Sequence, residues 1–144
     1  HQRLRGAQLA FGRPLEPVFH FDRARVVVTL DADFLQGQPE SVRYARDLIT
    51  LRDPEARFMS RLYALESTPG LIGALADHRL ALSPADIEHF AYRLAAAFGA
   101  APAMAGPAPA PRWESALLAD LSAHTGSCLV VAGEGMPPPV HAIA

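Results

Sequence analysis

The chain is expected to fold as an α/β domain: a small parallel sheet of about three strands with flanking helices. Three observations predict this. Short apolar, β-branched runs occur at Arg25–Leu30 ("RVVVTL"), Arg61–Ser67 ("RLYALES") and within "SCLVVAGEG", which enters a glycine turn. Stretches with helical spacing separate these runs. The resulting order of strand, helix, strand, helix, helix, strand, helix places helices on the faces of a parallel sheet. A chain of 144 residues that is 50% apolar fits one domain with a real core.

Each element has a local reason. Arg25–Leu30 reads as a strand buried on both faces. Pro39 then opens a helix from about Glu40 to Arg52, with Val42, Ala45, Leu48, Ile49 and Arg52 at helical spacing, and "RDPEAR" breaks it at Pro54. From Thr68 to Leu82 no period emerges, so this stretch is expected to be a long, fairly apolar loop of the kind that packs against something or carries function. Ser83, with Pro84 at the first helical position and Asp86 three residues on from the cap, starts the next helix. Ile87, Phe90, Ala91, Leu94 and Phe98 line one face of that helix, which ends near Gly99. Residues 100–111 ("AAPAMAGPAPAP") read as a Pro/Ala-rich linker. Trp113–His124 fits a helix with Leu117, Leu118 and Leu121 inward and Gly126 as its stop. "PPPVHAIA" begins a last helix with its prolines at the tolerated end. The whole of 1–144 reads as a single α/β domain and as a piece of a longer protein.

The totals exclude several classes of function. A formal net charge of −2 and a pI near 6.3, with no block of basic residues, argue against nucleic acid or an anionic membrane as partner. All 13 basic residues are arginine, a bias we ascribe to codon usage. A lone cysteine, Cys128, cannot form an internal disulfide, a Cys-rich zinc site or an iron–sulfur cluster within this chain, and reads as a core thiol. No apolar run approaches the roughly 18 residues that a membrane-spanning helix requires.

In an open parallel sheet, ligands bind beyond the carboxyl ends of the strands. The stretches Asp31–Asp33, Glu66–Thr68 and Gly133–Gly135 should converge there, bringing Asp31, Asp33, Glu66 and Glu134 to one edge. Four carboxylates in that space would crowd one another electrostatically or collect a divalent cation. Their spacing matches no ligand motif, and the structural alternative is that they cap helices and turn the chain. "AGEG" falls short of a dinucleotide fingerprint, and Pro137, Pro138 and Pro139 remove amides that would bind an anion. Asp77, His78 and Arg79 could orient a histidine for proton transfer, or could be an Asp–Arg pair with a histidine holding an irregular loop. His89 has no metal-binding companion at i+4, and His20 is expected to pack inside.

Four phrases, "EPVFHFDRARVVVTLDADFL", "RYARDL", "MSRLYALESTPGLIGALADHRLALSPADIEHFA" and "CLVVAGEGMPPPVHAIA", cover most of the chain outside the linker. Through them it resembles the molybdopterin-oxidoreductase superfamily, and most closely the large iron–sulfur subunit of bacterial alternative complex III, a quinol-oxidising respiratory assembly. The resemblance implies a Rossmann-like sheet within a larger fold. It also implies export by the twin-arginine route to the periplasmic side of the inner membrane, and partners in the rest of the subunit and in neighbouring membrane-complex subunits. Iron–sulfur clusters are implied for a Cys-rich C-terminal part, and no molybdenum.

Superfamily members that hold a pterin dinucleotide carry a Gly-x-Asn-like turn after the first strand, a Pro-Arg pair after the second, and a Pro-Gly-Thr-Asp stretch after the long loop. This chain has Asp31-Ala32-Asp33, Glu66-Ser67 and Ser83-Pro84-Ala85-Asp86 in those places. Asp31, Asp33, Glu66, Ser67, Thr68, Asp86, Gly133, Glu134 and Gly135 are therefore expected to line a vestigial pocket that binds no cofactor. The alternative expectation is a small metal-dependent or nucleotide-binding α/β enzyme domain using Asp31, Asp33, Glu66 and Glu134.

Overall fold

A computed structural model describes residues 2–55, 58–102 and 110–144. It is an α/β domain with four parallel strands: β1 (Val26–Leu30), β2 (Arg61–Glu66), β3 (His78–Ala81) and β4 (Cys128–Ala132), in spatial order β3-β2-β1-β4. The helices are α1 (Gln2–Phe11), α2 (Ser41–Thr50), α3 (Leu71–Leu75), α4 (Pro84–Ala97), α5 (Glu114–Ala123) and α6 (Pro138–Ile143), with a 3₁₀ turn at Phe21–Arg23. The order is Rossmann-like: the chain moves outward from β1 through β2 to β3, then crosses back to place β4 on the other side of β1.

β1 is an interior strand of the sheet and is buried at all five positions, which explains a run that is apolar except at Thr29. Its alternate side chains feed two cores. Val26, Val28 and Leu30 join Tyr63, Leu65, Ile87, Phe90, Leu94, Leu117 and Val140 under α4, α5 and α6. Val27 joins Phe21, Phe34, Tyr44, Leu48, Leu62 and Ile72 under α2 and α3. In the second core Phe21 stacks on Phe34 with ring centroids 4.1 Å apart and meets Tyr44 edge-on at 5.0 Å. Such pairs add about 1 kcal/mol each beyond the area they bury.

Most of the expected elements form where the local chemistry places them. Ser83 caps α4: its Oγ accepts the Asp86 N–H (3.2 Å) and donates to Asp86 Oδ2 (2.7 Å). Gly99 and Gly126, at φ of +70° and +84°, follow the ends of α4 and α5 in the left-handed conformation that glycine adopts without strain.

Four expectations are corrected. Among the described residues the sheet has four strands, because residues 68–82 hold α3 and β3 where a structureless loop was expected. β3 is a four-residue edge strand with alternate positions exposed, too short and polar to show as an apolar run. On α2 the buried residues are Tyr44, Asp47 and Leu48, whereas Val42 and Ile49 face outward, as does Phe98 beyond α4. His20 is exposed beside Asp22 and does not pack inside. Asp77 pairs with Arg52 across the sheet end instead of with its neighbour Arg79. Within the 100–111 linker, residues 103–109 lie outside the described ones.

Candidate functional site

The parallel sheet brings the carboxyl ends of β1, β2 and β4 to one edge, in register at Leu30, Leu65 and Ala132. Main-chain bonds lock the three chain segments just beyond: the Asp31 N–H donates to Leu65 O (2.8 Å) and the Gly133 N–H to Leu30 O (2.9 Å). The predicted convergence of Asp31–Asp33, Glu66–Thr68 and Gly133–Gly135 is therefore present.

The three buried or half-buried carboxylates are each consumed by the chain's own donors. Asp31, at φ +54°, accepts the Ser67 N–H at Oδ1 (2.7 Å) and the Ser67 hydroxyl. Asp33 accepts the Leu35 N–H at Oδ1 (3.2 Å) and, at Oδ2, the Leu71 N–H (3.0 Å) and the Gln36 side-chain amide (2.9 Å), so it both turns its own loop and caps α3. Glu66, 7% exposed, takes the Gly70 N–H at Oε2 (3.2 Å) and a short charge-assisted bond from Arg79 Nε at Oε1. Two glycines make room for these groups: a Cβ on Gly70 would meet Asp33 Oδ2 at 2.8 Å, and one on Gly73 would overlap the Glu66 carboxylate.

Glu134 stands apart, its side chain 78% exposed and 3.7 Å from Arg3. Ser67 and Thr68 are exposed, Gly135 lies in the turn before α6, and Asp86 is occupied in capping α4. Among the described residues no group of three or more His, Cys, Asp or Glu side chains stands close enough to hold a metal ion. Asp33 takes the turning and capping role set out from sequence as the structural alternative, whereas Asp31 ties the segment after β1 to that after β2.

At the point where the strand order reverses, between β1 and β4, the structure has a crevice of about 280 Å³ lined by Arg3, Glu16, Gly37–Glu40 and Glu134. Sequence reasoning found Glu134 here and missed Arg3, Glu16 and Glu40. Arg3 comes from α1, ahead of the first strand, where no topological rule ties a residue to the sheet edge. Its side chain is only 18% exposed, and the guanidinium lies between Glu16 (3.8 Å) and Glu134 (3.7 Å). The crevice thus carries three carboxylates against one guanidinium. Below it, burial and then the Arg3 charge hold the His141 imidazole below its ordinary pKa, against weaker support from the Met136 and Gly133 backbone and Glu134.

Asp77, His78 and Arg79 do not act as one group. Asp77 receives Arg52 in a two-point pair (2.8 and 2.9 Å) and the Leu62 N–H (2.7 Å). His78 lies flat on Tyr63 with centroids 4.8 Å apart, and Arg79 turns to Glu66. Cys128 opens β4 half-buried, its thiol donating to His124 O (3.1 Å), and burial raises its pKa.

A pyrophosphate at this edge would need free main-chain amides and positive charge. The Ser67, Gly70 and Leu71 amides are already bonded to carboxylates, and the guanidinium that lies at Glu66, that of Arg79, is paired with it. No known family model matches this chain, and a comparison with curated proteins found no match.

Proposed function

We propose that the chain is a non-catalytic, molybdopterin-oxidoreductase-like scaffold within a respiratory electron-transfer subunit, holding its partners and carrying no molybdenum cofactor of its own. The observation that carries this reading is the internal use of the strand-end carboxylates: Asp31, Asp33 and Glu66 bind the amides of Ser67, Leu71 and Gly70. A site built to receive a phosphate keeps such amides free.

Charge supports the same reading. Like charges about 4 Å apart repel by roughly 4 kcal/mol at an effective dielectric near 20, so an anionic cofactor among Glu16, Glu40 and Glu134 faces a penalty that Arg3 alone does not offset. By resemblance, the partners are the rest of the subunit and neighbouring subunits on the periplasmic side, and the iron–sulfur clusters belong to the cysteine-rich part.

The test is elemental analysis with ultraviolet–visible spectroscopy of the purified chain. The expected result is neither molybdenum, iron nor pterin above trace levels. Any of the three at one equivalent per chain rejects the scaffold reading.

A further inference from the structure

We infer that α1 is an acid-released clasp, seated on α6 while the His141 imidazole is neutral and freed when mild acidification protonates that ring. The hold is narrow. Only Gly6 and Ala7 of the ten residues of α1 are buried, and the helix has no acidic residue in its first turn and no basic residue in its last. Leu9 and Phe11 are 63% and 69% exposed. Gly6, a weak helix former, sits where the two helices meet: a Cβ there would overlap His141 Cβ and come within 2.8 Å of Pro138 O. An element that buries so little surface opens at the low end of a protein's local stabilities, so a small change at its one close contact decides whether it stays.

The ring at that contact is placed to stay neutral. His141 Nε2 is buried and has no hydrogen-bond partner among the described residues. Both nitrogens of an imidazolium carry N–H, so protonation would leave a charged donor there with no acceptor. Arg3 faces the ring from α1, Glu16 lines the same cleft from the segment after α1, and Glu134 acts from the turn before α6. β4 and α6 add no other charged residue, and α4, which also packs on α6, supplies none of the leading effects at the ring. The Glu16 and Glu134 side chains are 76% and 78% exposed and that of Arg3 18%, so solvent screens the attraction more than the repulsion.

Linkage gives the sign. With α1 docked, burial and then Arg3 hold the imidazole below its ordinary pKa. With α1 free, the ring meets water, Arg3 leaves with its helix, and titration returns to about 6.5. The free form therefore takes up a proton that the docked form refuses. Docking is fully present above about pH 6.5 and weakens as pH falls toward the docked value, by up to about tenfold in the docked-to-free ratio per pH unit. The inference stands on the contact between α1 and α6 and holds whether or not the chain belongs to a respiratory subunit.

The test is amide hydrogen exchange of the 144-residue chain at about pH 7.5 and about pH 5.5, corrected for the intrinsic rate, a window that spans the ordinary histidine titration. Protection of the α1 amides is expected to fall at least about threefold at the lower pH, while that of β1 stays within about twofold. His141→Gln, which keeps the other five of the six histidines, should remove the dependence. Gly6→Ala, which forces the helices apart, should leave α1 unprotected at both pH values and return the His141 imidazole, followed by NMR, to about 6.5. Equal protection of α1 at the two pH values in the unmodified chain overturns the proposal. So does a pH dependence that survives His141→Gln, or a His141 that titrates at its ordinary value while α1 remains protected.

Discussion

Gly133 rests directly on the main chain of Asp31: a Cβ at position 133 would overlap the Asp31 carbonyl oxygen and come within 3.1 Å of the Ala32 nitrogen. The segments that leave β1 and β4 touch backbone to backbone, with no side chain between them.

Gly133→Ala is therefore expected to be among the most destabilising single changes in the chain. The overlapped atoms are main chain, held by the bonds from Asp31 N to Leu65 O and from Gly133 N to Leu30 O, and cannot rotate aside. Overpacking a rigid contact costs about 1–3 kcal/mol, and losing one ladder bond adds about 1 kcal/mol. The urea midpoint should fall accordingly, and a midpoint equal to that of the unmodified chain would show that the two segments are free to separate.

Asp31 holds a left-handed conformation (φ +54°) and caps Ser67, so its substitutions should rank by which property they keep. Asn tolerates the conformation and retains an acceptor; Gly relieves the backbone and loses the acceptor; Ala loses the acceptor and keeps the strain. We expect stability to fall in the order Asp31→Asn, Asp31→Gly, Asp31→Ala, with about 1 kcal/mol between the last two. Chemical denaturation of the three variants checks the order, and Ala at or above Gly refutes the strain argument.

The same residue shows what the sequence could and could not disclose. That Asp31 and Asp33 sit at the carboxyl edge was legible, because a buried apolar run ending in turn-forming residues identifies both strand and terminus. The Ser83–Asp86 helix start was legible for the same local reason. β3 was hidden, since His78-Arg79-Leu80-Ala81 is an edge strand half-buried at alternate positions and exposed at the others. Its partners in the tertiary structure, Tyr63 under His78 and Glu66 beside Arg79, lie 13 or more residues away and leave no local period. Arg3 in the crevice was hidden more completely, for its position depends on how α1 packs on α6, down to Gly6 pressed against His141. The outward Val42 and Ile49 illustrate the converse: helical spacing marks a stripe but does not say which stripe meets the core.

Arg52 and Asp77 join the end of α2 to the start of β3. Burial works against the Asp77 charge, but the Arg52 hydrogen bonds, the Leu62 N–H and the cationic neighbours outweigh it and hold the carboxyl below its ordinary pKa. A carboxyl depressed in the folded state contributes stability above its unfolded value near 3.9, and that contribution disappears as pH falls through the folded pKa. Asp77→Asn should therefore lower the urea midpoint at neutral pH, with the difference from the unmodified chain shrinking steadily below about pH 4. Arg52→Ala, which leaves Asp77 without its cation, should cost about 2 kcal/mol at neutral pH. A pH-independent difference for Asp77→Asn would mean that the pair stabilises by packing and not by charge.

The alkaline limb should report Tyr63. Its hydroxyl donates to Asp120 Oδ2 at 2.6 Å while Arg61 Nη2 donates to Asp120 Oδ1 at 2.7 Å. Burial raises the Tyr63 pKa first, and the Asp120 acceptor and its charge raise it further, above the reach of ordinary alkaline titration. A phenol that must stay protonated to keep the fold contributes stability fully present below its unfolded pKa near 10, and this is lost as pH rises from there toward the folded value. Tyr63→Phe should cost about 1 kcal/mol at neutral pH through the lost hydrogen bond. Above about pH 10 the penalty should shrink and the two denaturation midpoints converge, because only the unmodified chain has a Tyr63 proton to lose on unfolding. In the unmodified chain, tyrosinate absorbance from this ring should appear together with unfolding, not before it. A phenolate signal that Tyr63→Phe removes, seen in the folded protein near pH 10, would show that the Asp120 bond does not hold the proton.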